Sequence, residues 1–446
     1  MNSTYETFLK LTKDISTAYA IESLLDWDQE TYMPKRAAPD RAEQAAFMAG
    51  LAHERLTSDE YAGLIERLEP QAAGDDHVVA TNVREMTRRY KRAARLPKSL
   101  VEEIARATSL AKDEWAQARK AADFARFAPH LEKLIDLKRQ VADRVGWNTE
   151  PYDALMDEFE PGAQAAQIQA VFDKLKTELV PLVAAIASAP RKPDTALLAR
   201  EFPRAAQEQF GRRICEAMGF DFEAGRIDVS THPFCSGRPP FDVRLTTRYD
   251  ERYLPMSLFG TMHEAGHGLY EQGLDAAHRG TPMAQSVSLG IHESQSRMWE
   301  NLVGRSREFW QHFYPALQAA FPSLVGVALN DWHFAINTVR PSFIRVEADE
   351  VTYTLHIILR FNVERQLIAG KLAVKDVPAA WNASMKDLLG ITPGSDAEGC
   401  LQDIHWSLGI FGYFPTYALG NLYASQFFAS ANRAMPTLRG DIASGN

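Results

Sequence analysis

The sequence is poor in cysteine. Its 446 residues include three, Cys215, Cys235 and Cys400, far apart and without C-x-x-C spacing. No disulfide framework can be read from them, and the pattern fits free thiols in a reducing cytoplasm. Cys235 is a candidate nucleophile by position, but no nucleophile motif surrounds it, and a small buried thiol is the simpler reading. Long apolar runs are also missing. None approaches 18 residues, so no membrane span is expected. The start, MNSTYETFLKLTKD, has no apolar core segment, so no secretory signal is expected. An excess of positive charge is absent too: 49 Lys and Arg face 58 Asp and Glu, a net charge of −9. That balance argues against nucleic acid or an anionic membrane as partner. No fixed-period repeat or low-complexity segment occurs. The acidic stretch PYDALMDEFEPG (151–162) lacks the alternating Asp/Asn and the Gly of a calcium loop, and reads as a helix and turn.

What is present is a 46% hydrophobic chain, long enough for a large core and for more than one domain. Residues 4 to 27 carry Phe8, Leu11, Ile15, Ala18, Ile21 and Leu25 at helical spacing, and Pro34 breaks the run. Trp27 and Met33 are expected to pack. Two helices are expected over 39–70, with Asp40 and Thr57 or Ser58 as caps. Further helices are expected over 76–95, 97–120, 129–145, 163–188 and 203–219. The first 220 residues thus read as a helical lobe without obvious chemistry.

The pattern changes after Asp221. RIDVSTHPF (226–234) and FDVRLTTRY (241–249) are β-branched and roughly alternating, with Ser236, Gly237, Pro239 and Pro240 between them. They predict two strands of a small antiparallel sheet. Such a strand could pair with an extended peptide, or could be a solvated edge. Asp242, Arg244 and Arg248 fall on one side of it.

The sheet leads into PMSLFGTMHEAGHGLYEQG (255–273), around which the chain is organised. His263 and His267 are four residues apart, so on a helix both imidazoles reach one metal ion. Glu264 sits about 100° further round, where it can act as general base on a water held at the metal. Pro255, the apolar side of Leu258, Met262 and Leu269, and Gly273 at the end all suit a helix. The bland alternative is an amphipathic helix with two partly buried histidines. A third ligand must come from elsewhere. Tyr270 and Gly273 stand where metzincins need Gly and His. The segment GIHESQSRMWENLV (290–303) offers Glu293, Glu300 and His292, and spacing leaves the choice open.

Downstream, a mostly helical region is expected from Asn330 to Ile368, containing the charged run IRVEADEVTYTLH (344–356). LQDIHWSLGIFGYFPTY (401–417) bunches Gln402, Asp403, His405, Trp406 and Tyr413 among apolar residues, which need polar partners if buried. His405 or Tyr413 could donate to a developing oxyanion.

Taken together, HPF at 232–234, DVRLT at 242–246, HEAGH at 263–267, HESQS at 292–296, IRVEAD at 344–349 and GCLQDIHW at 399–406 resemble the M32 metallocarboxypeptidases, the thermostable carboxypeptidase family. LLDWDQETYMP (24–34) and YDALMDEFEPG (152–162) also look like that family. The resemblance spans nearly the whole chain. It implies a mainly α, two-lobed peptidase with a deep groove and a small sheet beside the metal, similar to neurolysin and angiotensin-converting enzyme. It implies one peptidase domain over 1–446, with a helical lobe over 1–220 and a metal-site lobe over 221–446. It makes Glu293 the third ligand of a zinc ion that cobalt can replace, with Glu264, His405 and Tyr413 catalytic. It points to Arg345 and Arg244 for the substrate carboxylate, with His232, Asp242, Gln402 and Tyr417 beside them, Tyr417 also being the reserve donor for Tyr413. Release of single residues from peptide C-termini with broad preference is implied, by a homodimer, and the cysteine pattern adds the cytoplasmic setting. A helical oligopeptidase that cuts internally, or an inactive peptide-binding scaffold, are the competing readings. One departure stands out. Family members usually continue into further C-terminal helices, whereas this chain stops at Ala443-Ser444-Gly445-Asn446 in what reads as a loop. Apolar surface is therefore expected around Tyr417 to Phe428.

Overall fold

The structure is a computed structural model that describes residues 3–446. The first helix, Ser3–Thr31, buries Tyr5, Phe8, Ile15, Ala18 and Trp27 along one side. Ser58 begins the helix Asp59–Leu68 by accepting from the Tyr61 N–H, which satisfies one of its unpaired first-turn donors. Three large apolar cores result. Tyr5, Phe8, Tyr61 and Leu64 centre one. A second joins residues from 100–183 with residues from 353–419, so Phe127 and Phe172 share a core with Phe361 and Trp381. A third joins Phe202 and Phe210 to Phe259, Trp310, Trp332 and Phe428. Each such fully buried side chain contributes about 1.5–3 kcal/mol relative to exposure.

The sheet is mixed rather than antiparallel. It has strands β1 (Gly225–Val229), β2 (Cys235–Arg238) and β3 (Asp242–Thr247) in the order β1-β3-β2. The two expected strands do pair, but in parallel, with Arg226 opposite Arg244. The piece expected to be a plain connection, Cys235 to Arg238, runs back antiparallel to β3. Its Gly237 and the following Pro239 and Pro240 hid it, because those residues are disfavoured inside strands but tolerated at an edge. β3 is therefore central and has both ladders filled, so it offers no edge to an extended substrate.

Two other expectations need correction. The stretch 330–368 is not one helical run. It divides into Leu329–Ile336 and Glu350–Ile368, with a single turn at Arg345–Glu347 between them. The first helix ends at Ile336, Pro341 lies in the gap where it disfavours helix, and Asp349 begins the second by accepting from the Val351 and Thr352 N–H groups. The C-terminal segment Leu438–Ser444 is a helix, not a loop, and its Leu438 and Ile442 pack on the third core beside Phe428. Within 417–428, Phe427 is the large apolar side chain left exposed. No helix among the described residues is long and apolar enough to cross a membrane.

Candidate metal centre and active site

The helix Leu254–Gln272 begins with Pro255 in its first turn, and it buries Leu258, Met262 and Ala265. His263 and His267 lie one turn apart on it, ring centroids 4.9 Å from each other. The helix Leu289–Arg297 is begun by Ser288, whose hydroxyl accepts from the Ile291 N–H. It delivers Glu293, whose Oε2 lies 3.5 Å from His263 Nε2 and 3.3 Å from His267 Nε2. The three residues' donor atoms all fall within 4.8 Å of one another.

Two glycines permit this approach. A Cβ on Gly266 would lie 2.7 Å from both the Gln295 carbonyl oxygen and the Ser296 Cα. One on Gly420, in the helix Phe414–Ala434, would lie 2.5 Å from Glu293 Cγ. The three helices can pack at this spacing only because both positions lack a side chain.

The other candidates of the 290–303 segment stand behind the imidazoles. Glu300 accepts from His263 Nδ1 at 2.8 Å. His292 Nδ1 lies 2.5 Å from His267 Nδ1, and its Nε2 lies 2.6 Å from Glu271. With both Nδ1 atoms engaged, it is the two Nε2 atoms that face the Glu293 oxygen. Two imidazoles, each neutral once it ligates, and one carboxylate form a donor set that suits a divalent ion such as zinc. Residues Met298–Val303 wind as a π-helix, which brings Glu300 to the same side as Glu293. Arg297 then bridges the two, 2.7 Å from Glu293 and 3.2 Å from Glu300. Sequence reading passed over Arg297 and Glu271. The Glu293–Arg297 spacing of four residues was the available signal.

The electrostatics favour positive charge here. Burial works against ionised Glu293, yet Arg297 and His263 hold it well below the usual carboxylate range. Burial likewise opposes charge on His263, but Glu293 and then Glu300 raise it to about 9. At His267 burial dominates and lowers the ring to about 3. Burial pushes Glu264 up to about 7, with His263 opposing and Glu293 and Glu300 adding to the rise. A base with a pKa near neutrality is well matched to accept and return a proton. Cys235 lies close enough to feel Glu264 and Glu271. Burial first, and then those two carboxylates, push its thiol well up, so it stays protonated and is a poor nucleophile.

The 401–417 segment brings the remaining polar groups together. His405 Nε2 is 3.3 Å from the Tyr417 hydroxyl, and its buried Nδ1 has no protein partner. Tyr413 packs against both, its ring 5.5 Å from His405 and 5.2 Å from Tyr417. Burial, with the nearby Arg345 adding, lowers His405 to about 3, so the ring is neutral. Burial, then Glu293, push Tyr413 up to about 12, so its hydroxyl keeps its proton.

Arg345 is buried. Its guanidinium contacts Asp403 at 2.9 Å and the Tyr353 hydroxyl at 2.8 Å, and lies 4.9 Å from the Tyr417 ring. Arg360 binds the other Asp403 oxygen at 2.6 Å. Gln402 accepts from the Arg345 N–H and from Arg360, and donates to three backbone carbonyls. All its capacity is spent within the protein, so it braces the arginines from behind. Arg244 is matched one to one by Asp242, at 2.7 Å, and rests 4.3 Å from the Trp27 ring. His232 is exposed, its Nδ1 turned to the Pro233 carbonyl oxygen.

Comparison with known proteins finds relatives over nearly the whole chain. Residues 7–446 match the model of the carboxypeptidase Taq (M32) metallopeptidases. The chain is 43% identical to thermostable carboxypeptidase 1 of Thermus thermophilus, over 99% of this chain and 89% of that protein. It is 40% identical to carboxypeptidase 1 of Bacillus subtilis, over 95% and 85% of the two. The crystal structure of an M32 carboxypeptidase from Deinococcus radiodurans R1 superposes with a TM-score of 0.95 at 41% identity, covering 100% of this chain and 90% of that one. A family match over nearly the whole chain, with a shared fold at this identity, makes the chain a member of the carboxypeptidase Taq (M32) metallopeptidase family.

Proposed function

We propose that this metallocarboxypeptidase removes single residues from free peptide C-termini with Glu264 as base and His263, His267 and Glu293 as metal ligands. The convergence of those three side chains beside a buried, near-neutral Glu264 carries the reading. When bound, the ion supplies a Lewis acid that polarises the scissile carbonyl and acidifies water. Zinc is the ion proposed, with cobalt able to stand in, since an N₂O set binds both.

Glu264 takes a proton from the attacking water and returns it to the leaving amine. The Glu264 carboxylate oxygens are the atoms that hold it in between. His405, neutral with a free Nδ1, and Tyr413 donate to the oxyanion, with Tyr417 aligning His405 through Nε2. Each such donor is worth roughly 10²–10³ in kcat.

The terminal carboxylate is read by Arg345 in preference to Arg244. Arg345 and Arg360 share one carboxylate, Asp403, so this buried set carries a net positive charge. Arg244 is already neutralised by Asp242. A substrate carboxylate beside Tyr417 restores the balance. Asp242 and Gln402 orient the two arginines, and exposed His232 contacts the peptide at the groove wall. The free thiols support a cytoplasmic setting. A homodimer is the proposed assembly, to be checked by light scattering.

The test is a mass-spectrometric time course on a free peptide and its C-terminal amide, with zinc, cobalt or a chelator. Stepwise loss of single residues from the free peptide alone, abolished by chelation, is expected. Internal fragments from both peptides would replace this reading with an oligopeptidase.

A further inference from the structure

The two histidines on the Leu254–Gln272 helix are supported differently. His263 Nδ1 meets a carboxylate directly: Glu300 at 2.8 Å, itself held by Arg297. His267 Nδ1 meets another imidazole, His292, at 2.5 Å, and only through that ring a carboxylate, Glu271, at 2.6 Å. The His267 and His292 rings meet edge to edge through these nitrogens, 4.5 Å between centroids and 29° between planes, and Tyr270 closes the edge of His292 at 5.4 Å.

Hydrogen-bond arithmetic fixes the tautomers. A His267 that offers the Nε2 lone pair to a metal must carry its proton on Nδ1. That N–H needs an acceptor, and the atom facing it is His292 Nδ1. His292 must then carry its own proton on Nε2, where Glu271 accepts it. Each atom in the row has one role, and reversing any one leaves two donors or two lone pairs face to face.

We infer that His292 and Glu271 form a positioning relay that holds His267 in its metal-binding tautomer and ring orientation. The inference rests on His267 being a ligand, as proposed above. It gives the histidine of the 292–294 H-E-S sequence a task separate from that of its neighbour Glu293. His292 does not touch the substrate or the ion. It acts through His267. Outer partners of this kind typically contribute about 10–100-fold in metal affinity.

The experiment measures zinc and cobalt affinity by competition with a chelator, on the wild type and on His292→Ala, His292→Asn, Glu271→Ala and His267→Ala. Apo-protein melting temperature and the visible spectrum of the cobalt form are recorded for each. His292→Ala is expected to weaken binding by about 10–100-fold with the apo melting temperature little changed and the cobalt spectrum altered. His292→Asn, whose side-chain oxygen can stand near the lost Nδ1, is expected to recover part of the affinity. Glu271→Ala is expected to fall between His292→Asn and His292→Ala. Affinity unchanged in His292→Ala while His267→Ala loses the metal would overturn the relay and keep the ligand. Affinity unchanged in His267→Ala would overturn the ligand assignment itself. A uniform loss in every variant that follows the fall in apo melting temperature would make His292 a packing residue only.

Discussion

Gly420 lies so close to Glu293 that a single methyl group on it would come within 2.5 Å of the glutamate's Cγ. The contact is between the helix Phe414–Ala434 and a residue 127 positions earlier in the chain, and it sets where the third carboxylate can stand. Gly420→Ala is therefore expected to push Glu293 off the two histidines. Overpacking of this kind costs about 1–3 kcal/mol, and the displaced carboxylate should also weaken metal binding. Thermal melts with and without added zinc separate the two effects: the gain in melting temperature on adding metal should shrink in the variant.

Glu264→Gln removes the proposed proton acceptor and leaves the three proposed ligands in place. Turnover is expected to fall by roughly 10²–10⁴-fold, with zinc content by elemental analysis unchanged. Activity within a few fold of wild type would take Glu264 out of the mechanism.

Arg345→Ala and Arg244→Ala should differ. Amidation of the peptide is expected to slow the wild type by roughly 10–100-fold, the worth of a charge-assisted hydrogen bond. In Arg345→Ala that penalty should largely vanish, because the reader of the carboxylate is gone. In Arg244→Ala it should persist. The measurement is kcat/KM on the paired peptides, and the reverse result would exchange the roles of the two arginines.

Asp403 gives a pH-dependent prediction. Burial alone would raise its pKa, but Arg345 and Arg360 hold it well below the usual carboxylate value. A depressed carboxylate pKa stabilises the fold above the unfolded-state value near 3.8 and loses that contribution as pH falls below it. Asp403→Asn leaves two buried guanidinium groups without their anion, at a cost of about 3–5 kcal/mol. The stability gap between variant and wild type, read from denaturant melts, should be full at pH 5 and above and should narrow towards pH 2.

Chelation should abolish activity without unfolding the chain, since its three large cores are built without the metal. Circular dichroism should be nearly unchanged while turnover is lost, and added zinc or cobalt should restore the latter.

Much of this was legible in the order of residues. Helical spacing alone puts His263 and His267 on one face and Glu264 beside them, because 3.6 residues per turn is a local property. The helices with regular apolar spacing were legible for the same reason, and the six motifs together identify the family. The sheet's direction was not legible. Parallel and antiparallel partners carry the same β-branched pattern, and Cys235–Arg238 hides its pairing behind Gly and Pro. Spacing also could not choose among Glu293, Glu300 and His292, since all three lie on one short segment.

The sequence by itself therefore determined which face of one helix carries His263 and His267, with Glu264 beside them, and the chemistry available there. The tertiary structure decided which of the neighbouring groups meets that face and which stands behind it. Glu293 reaches the two Nε2 atoms because Gly266 and Gly420 let three backbones come together, while the π-turn at 298–303 sends Glu300 to His263 Nδ1. The physical reason is range. A helix's periodicity is set by bonds between near neighbours, whereas a ligand's position depends on how closely distant segments can pack, which no local pattern records.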